Sequence, residues 1–176
     1  MDKKFSDKDK EFMQIAFKEA EKAFTGNNFP IGAVLVIDGK LIDKTGNSSL
    51  SSNKWAYHAE TTLLIKDSAL IKEKSMNGSK IDLYITLEPC LMCFGMAVHH
   101  RLSRIIYASP DPNLGATNID PSSIKKSYLK LWPEIKGGLM KERACDLMID
   151  FFNSGKKEEW KQEDLKLFEN MRKTWK

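Results

Sequence analysis

Two short stretches constrain this chain more than anything else in it: His58-Ala59-Glu60, within Trp55-Ala56-Tyr57-His58-Ala59-Glu60-Thr61, and Pro89-Cys90-Leu91-Met92-Cys93. One imidazole and two thiols separated by two residues make a metal set, because a Cys-x-x-Cys turn aims both sulfurs at one tetrahedral ion. The ion such a set suits is zinc, so the fold must bring the two stretches to one point. A structural zinc takes a fourth protein ligand, and none stands out. Cys145 is the remaining cysteine, and His99 and His100 lie together downstream. Three ligands leave a position where water binds and is acidified toward neutral pH. Glu60 follows His58 by two residues and can carry that water's proton if the first turn of a helix faces the ion.

The hydropathy pattern alternates helices with strands. Ser6, Asp7 and Asp9 form a helix start, and Phe12, Ile15, Ala16, Ala20, Ala23 and Phe24 continue at helical spacing to Thr25. The dense apolar run 31–37 predicts a buried strand, Asp38-Gly39 a two-residue hairpin, and 40–45 its partner. A loop rich in Asn and Ser delivers the chain to His58, and a helical region follows as far as Asn77-Gly78-Ser79. A third strand is expected at 81–86. Pro89 is then expected to open a helix that carries both cysteines on one face, near the positive end that favours thiolate. A fourth strand is expected at 104–108, a loop at 110–115, a short helix at 122–131 and an edge strand at 134–139. Helices at 141–153 and 158–175 complete the chain. The fold expected is α/β: a central mixed sheet of about five strands covered by helices on both faces, with an additional C-terminal helix.

Length and charge narrow the context. At 176 residues the chain can bury a core without staples. We expect residues 1–155 to form one domain and 156–176 a helical extension of it. Three cysteines, two of them claimed by the metal, cannot build a disulfide framework, and thiolate ligands call for a reducing compartment. With no apolar leader after Met1 and no membrane span, the expected location is the cytoplasm. The formal charge of +4 permits a polyanionic partner without demanding one.

These motifs resemble the cytidine deaminase-like superfamily, in which a His-x-Glu followed by Pro-Cys-x-x-Cys marks zinc deaminases of nucleobases. Within it, the resemblance is to the branch of tRNA adenosine deaminases and guanine deaminases. It spans roughly 29–153 and rests on Phe29-Pro30-Ile31-Gly32-Ala33-Val34, His58-Ala59-Glu60, Tyr84-Ile85-Thr86-Leu87-Glu88-Pro89-Cys90-Leu91-Met92-Cys93 and His99-His100-Arg101-Leu102. The resemblance implies Zn²⁺ held by His58, Cys90 and Cys93, with Glu60 as the catalytic proton carrier. It places Pro30 and Ile31 near the bound base, and Ala59, Glu88 and Pro89 beside the ligands as further substrate contacts. It also makes Asn47, eleven residues before the ligand histidine, a base-binding residue. Two departures bear on the substrate. Asn113 stands where the tRNA enzymes usually carry a basic residue, and only Lys156-Lys157 remains of the basic run that follows their Phe-Phe pair; both thin the contact with phosphate.

The implied reaction is hydrolytic deamination: an activated water attacks an amino-bearing ring carbon, and Glu60 carries the proton to a ring nitrogen and then to departing ammonia. A purine-type substrate leads, either adenosine in tRNA or guanine or a related free base or nucleoside. A cytosine or cytidine substrate is second. A catalytically silent, zinc-stabilised partner subunit is the reading of another class, and Glu60 argues against it. By the same resemblance we expect a homodimer. Trp160, Phe168 and Trp175 recur at spacings that mark one helical face, and the extra length of the tail makes them candidates for a lid over a small base.

Overall fold

The computed structural model describes residues 4–155 and 158–175. Its first helix, α1 (Asp7–Thr25), starts as the sequence dictates. Ser6 is the N-cap, and its side chain and that of Asp9 each bond the other's backbone in a capping box. β1 (Gly32–Ile37) and β2 (Lys40–Gly46) form the hairpin, with Asp38 at φ 50° and Gly39 at φ 74° supplying the left-handed pair that a tight turn needs. Gly32 is required for a different reason: a Cβ there would lie 2.0 Å from the Ala16 carbonyl oxygen, so its absence lets α1 lie directly on the strand.

The helical region after His58 is two helices, α2 (Ala59–Lys66) and α3 (Ser68–Met76). Asp67 separates them, because its backbone at φ −97° and ψ 11° leaves the helical region. β3 (Ile81–Leu87) and α4 (Leu91–His99) follow. Pro89 does not open α4: Cys90, extended at φ −69° and ψ 170°, is the N-cap, and the proline lies one residue before it. There the Pro89 carbonyl accepts from Ala116 N–H, which ties the approach to the helix to the following loop. After β4 (Arg104–Ser109), the helix expected at 122–131 is reduced to a 3₁₀ turn, Pro121–Ser123, and one short turn, α5 (Lys126–Leu129). β5 (Glu134–Gly137), α6 (Lys141–Asn153) and α7 (Glu159–Lys173) complete the order.

The strands lie in the order β2-β1-β3-β4-β5. β1 pairs antiparallel with β2 and β3, and β4 pairs parallel with β3 and β5, so the sheet is mixed. Alternation sorts β1 between two cores. Ala33, Leu35 and Ile37 face α2 and α4, whereas Val34 and Val36 face α1 and α6. A strand buried on both sides reads as one continuous apolar run, as this one does. Trp132 packs edge-on against Phe94 of α4 at 4.9 Å. α7 docks on α6 in a third cluster built on Cys145, Met148, Phe151, Phe152, Leu165 and Phe168. Among the described residues, no helix is long and apolar enough to cross a membrane.

Candidate metal centre and active site

Two helix N-termini converge beyond the end of β3. His58 is the N-cap of α2 and Cys90 the N-cap of α4, and neither side chain caps its own helix, so both are free to serve a ligand. Cys93 sits one turn into α4 and is buried. His58 Nδ1 lies 3.4 Å from Cys93 Sγ and 3.7 Å from Cys90 Sγ. The three donor atoms lie within 4.8 Å of one another. Zinc–sulfur and zinc–nitrogen bonds at a tetrahedral angle give an N-to-S edge of about 3.6 Å. The triad therefore fits zinc in both donor chemistry and spacing, and three donors leave a fourth position open.

The local field favours thiolate at Cys90. Cys90 is pushed down to about 4: the Cys93 thiol donates to it, burial opposes, and the neighbouring imidazole of His58 adds to the lowering. Cys93 moves up, through that same hydrogen bond and through burial. The partial positive charge at the start of α4 acts in the same direction as the Cys90 shift. His58 is raised, first by its hydrogen bond with Cys90. Glu60, in the first turn of α2, is buried, and burial pushes its carboxyl up.

A cavity of about 310 Å³ opens beside this group, with His58, Glu60 and Cys90 in its lining. Its apolar walls include Phe29, Ile31, Leu87, Met148, Phe152 and Phe168. Asn47 lines it too, buried, with Oδ1 accepting from Ser49 N at 3.0 Å and from Ser49 Oγ at 2.9 Å. Its Nδ2 has no partner among the described residues and is left as a donor. Glu88 reaches the cavity, but Thr117 N (3.0 Å), the Thr117 hydroxyl and Asp111 N (3.1 Å) all donate to it, so it also anchors the loop that follows β4. Pro30, Ala59 and Pro89 stand buried behind the lining, each adjacent in the chain to a residue that forms it.

The three tail aromatics separate. Phe168 is a wall of the cavity, Trp160 packs at 6.0 Å on Phe29 outside the lining, and Trp175 lies under Lys141, whose Nζ is 4.4 Å from its ring. Lys156 and Lys157 lie outside the described residues. The sequence reading missed Asp111 and Asp164, both in the cavity lining. Burial raises the carboxyl pKa of each. Asn113 Nδ2 donates to Asp164 Oδ1 at 2.8 Å, and Asn113 N donates to Asp111 Oδ1 at 2.9 Å, so one asparagine links the two acids. The signal for Asp164 was its spacing of four residues before Phe168, which puts both on one face of α7.

Residues 6–109 match the cytidine and deoxycytidylate deaminase zinc-binding region. A tRNA-specific adenosine deaminase of Rickettsia felis is 36% identical over 142 residues, covering 80% of this chain and 97% of the relative. The enzyme of the same name from Bacillus subtilis is 31% identical over 149 residues, 85% of this chain and 91% of its own. A solved structure from work on A-to-I editing by tRNA:A34 deaminases superposes with a TM-score of 0.64 at 31% identity, over 78% of this chain and 98% of that one. Guanine deaminase from Nitrosomonas europaea shares the fold alone, with a TM-score of 0.65 at 19% identity, over 81% of this chain and 83% of its own. With the motif, the mixed sheet and the three-donor centre all in place, the chain belongs to the zinc-dependent cytidine and deoxycytidylate deaminase family.

Proposed function

We propose that this enzyme removes the exocyclic amino group of a purine, with water as co-substrate and ammonia as product. The observation that carries the reading is the cavity of about 310 Å³, apolar on its walls and ending at His58, Cys90 and Glu60. When bound, zinc supplies the Lewis acidity that makes water nucleophilic at neutral pH. The residues of the chain do the rest. Glu60 accepts a proton from the attacking water, gives it to a ring nitrogen, and returns a second proton to the amino group as it leaves. The burial of its carboxyl keeps that proton affinity high enough for both transfers. Asn47 Nδ2 holds a base acceptor, and Ile31, Phe29 and Phe168 sandwich the ring and exclude water. The relatives named for adenosine in tRNA support a purine over a pyrimidine.

Release of ammonia from adenine, guanine, cytosine, their nucleosides and tRNA tests the reading. Turnover confined to cytosine or cytidine replaces it with the pyrimidine alternative, and no turnover of any substrate by zinc-loaded protein leaves the silent partner subunit.

Three further properties go with this reading. The sharing of one apolar cluster by α6 and α7 supports counting 156–176 with the domain. Free Cys90, Cys93 and Cys145 support a reducing cytoplasm. A homodimer is supported by α4 and α2, which leave Leu91 66%, Ile65 62% and Met92 40% exposed. Sedimentation that shows only monomer at micromolar concentration rejects the dimer.

A further inference from the structure

The proposed purine reading leaves open whether the base arrives free or attached to a sugar, and the C-terminal helix bears on that choice. α7 lies outside the family-matched segment 6–109, yet it sends both Phe168 and Asp164 into the cavity. Asp164 is half-buried, and one oxygen is held by Asn113 Nδ2 at 2.8 Å; the other has no hydrogen-bond partner among the described residues. The Asn113 amide is thereby engaged by a carboxylate. Among the described residues, the side chains that line the cavity include four carboxylates, Glu60, Glu88, Asp111 and Asp164, against one lysine, Lys54. Such a lining repels phosphate and favours a neutral ligand rich in N–H donors.

The reacting amino group must point at His58, Cys90 and Glu60, so the far ring of a purine meets the remaining polar groups. These include a donor, Asn47 Nδ2, and an acceptor, the Asp164 carboxylate oxygen that no described residue pairs, besides Ser49, Asn53 and Lys54. The imidazole ring of an unsubstituted purine carries one nitrogen that accepts and one N–H that donates, which complements that pair. A purine with a sugar or methyl group on N9 has lost the N–H. We propose that Asp164 is a specificity-determining residue that accepts the imidazole N–H of a free purine base and so selects free bases over nucleosides and RNA. A buried polar group left unpaired by the wrong ligand is the usual source of such discrimination.

The test uses pairs that differ only at N9: guanine with 9-methylguanine, and adenine with 9-methyladenine, alongside guanosine, adenosine and tRNA. Zinc-loaded wild-type protein is expected to favour the free base in kcat/KM by about 10- to 100-fold, the range of a hydrogen bond to a charged group. Asp164→Ala should raise KM for the free base and bring the two members of the pair within a few-fold of each other. Asp164→Asn keeps an acceptor oxygen and should retain part of the preference. Alanine suits a helix interior, and zinc content with thermal unfolding checks that each variant is folded. Equal turnover of the pair by wild type, preference retained in folded Asp164→Ala, or activity on tRNA alone overturns the proposal while leaving purine deamination intact. If wild type turns over no substrate, the purine reading itself has failed and this proposal fails with it.

Discussion

The Arg104 guanidinium, at the start of β4, reaches the Asp9 carboxylate on α1 at 3.2 Å. The same group grips Asp82 of β3 with two bonds, at 2.6 and 3.0 Å, and Tyr84 donates its hydroxyl to Asp9 at 2.7 Å. This network fastens the first helix to the middle of the sheet, on the face opposite the metal group. Both acids are buried and Arg104 is nearly so. Replacing Arg104 with Met should therefore destabilise the fold by about 3–5 kcal/mol, because two carboxylates are left without their cation. Urea unfolding checks this, and a loss below about 1 kcal/mol, the worth of an exposed pair, would assign the network no structural weight.

The same network predicts acid sensitivity. Burial pushes the Asp9 carboxyl up, but the Tyr84 hydroxyl, both bonds from Ser6 and the Arg104 charge outweigh it, and the net shift is downward. Because the folded-state pKa lies below the unfolded one, this contribution is complete above about pH 4. It is lost as pH falls through the folded-state value, where the folded protein takes up a proton. Stability measured from pH 6 to 2 should fall more steeply below pH 4 in wild type than in Asp9→Asn. Parallel curves would remove Asp9 as the responsible group.

Glu60→Gln should bind zinc normally and lose turnover by about 10²–10⁴-fold. The amide fills the same space at the start of α2 but cannot take up and return a proton. Ammonia release and metal analysis on the same preparation measure both halves. Residual activity near wild type would move the proton to another carboxylate of the lining, Glu88, Asp111 or Asp164.

One zinc per chain is expected, and Cys93→Ala should reduce the stoichiometry sharply. His58 and Cys90 come from different helices, and Cys93 is the buried donor 3.4 Å from the imidazole. Elemental analysis decides it. A variant that retains full zinc would show that the triad is not the binding group.

Phe168 is both a cavity wall and a member of the α6–α7 cluster. Phe168→Ala should cost about 3–5 kcal/mol and raise KM for a small base. Trp160 is 37% exposed, and its loss should be milder on both counts. Removing 156–176 strips Leu165 and Phe168 from the cluster, so cooperative unfolding should weaken as well. A truncated chain with unchanged unfolding and unchanged turnover would leave the tail without a role in either.

What the sequence determined by itself was chemistry carried by neighbours in the chain. His58, Glu60, Cys90 and Cys93 were legible because a ligand set with fixed spacing constrains residue type, and the strands because a run buried on both faces must be apolar throughout. The capping box at Ser6 and the Asp38-Gly39 turn were legible for the same local reason. Tertiary structure decided what depended on distant partners. The break at Asp67 answers to how two helices lie on the sheet, and Pro89 sits outside its helix because the carbonyl bonds Ala116 in a later loop. The cavity is the largest such decision. Asp164, Met148 and Phe152 become its lining only when α6 and α7 dock beside the metal group, and helical spacing shows which residues share a face but not what that face meets.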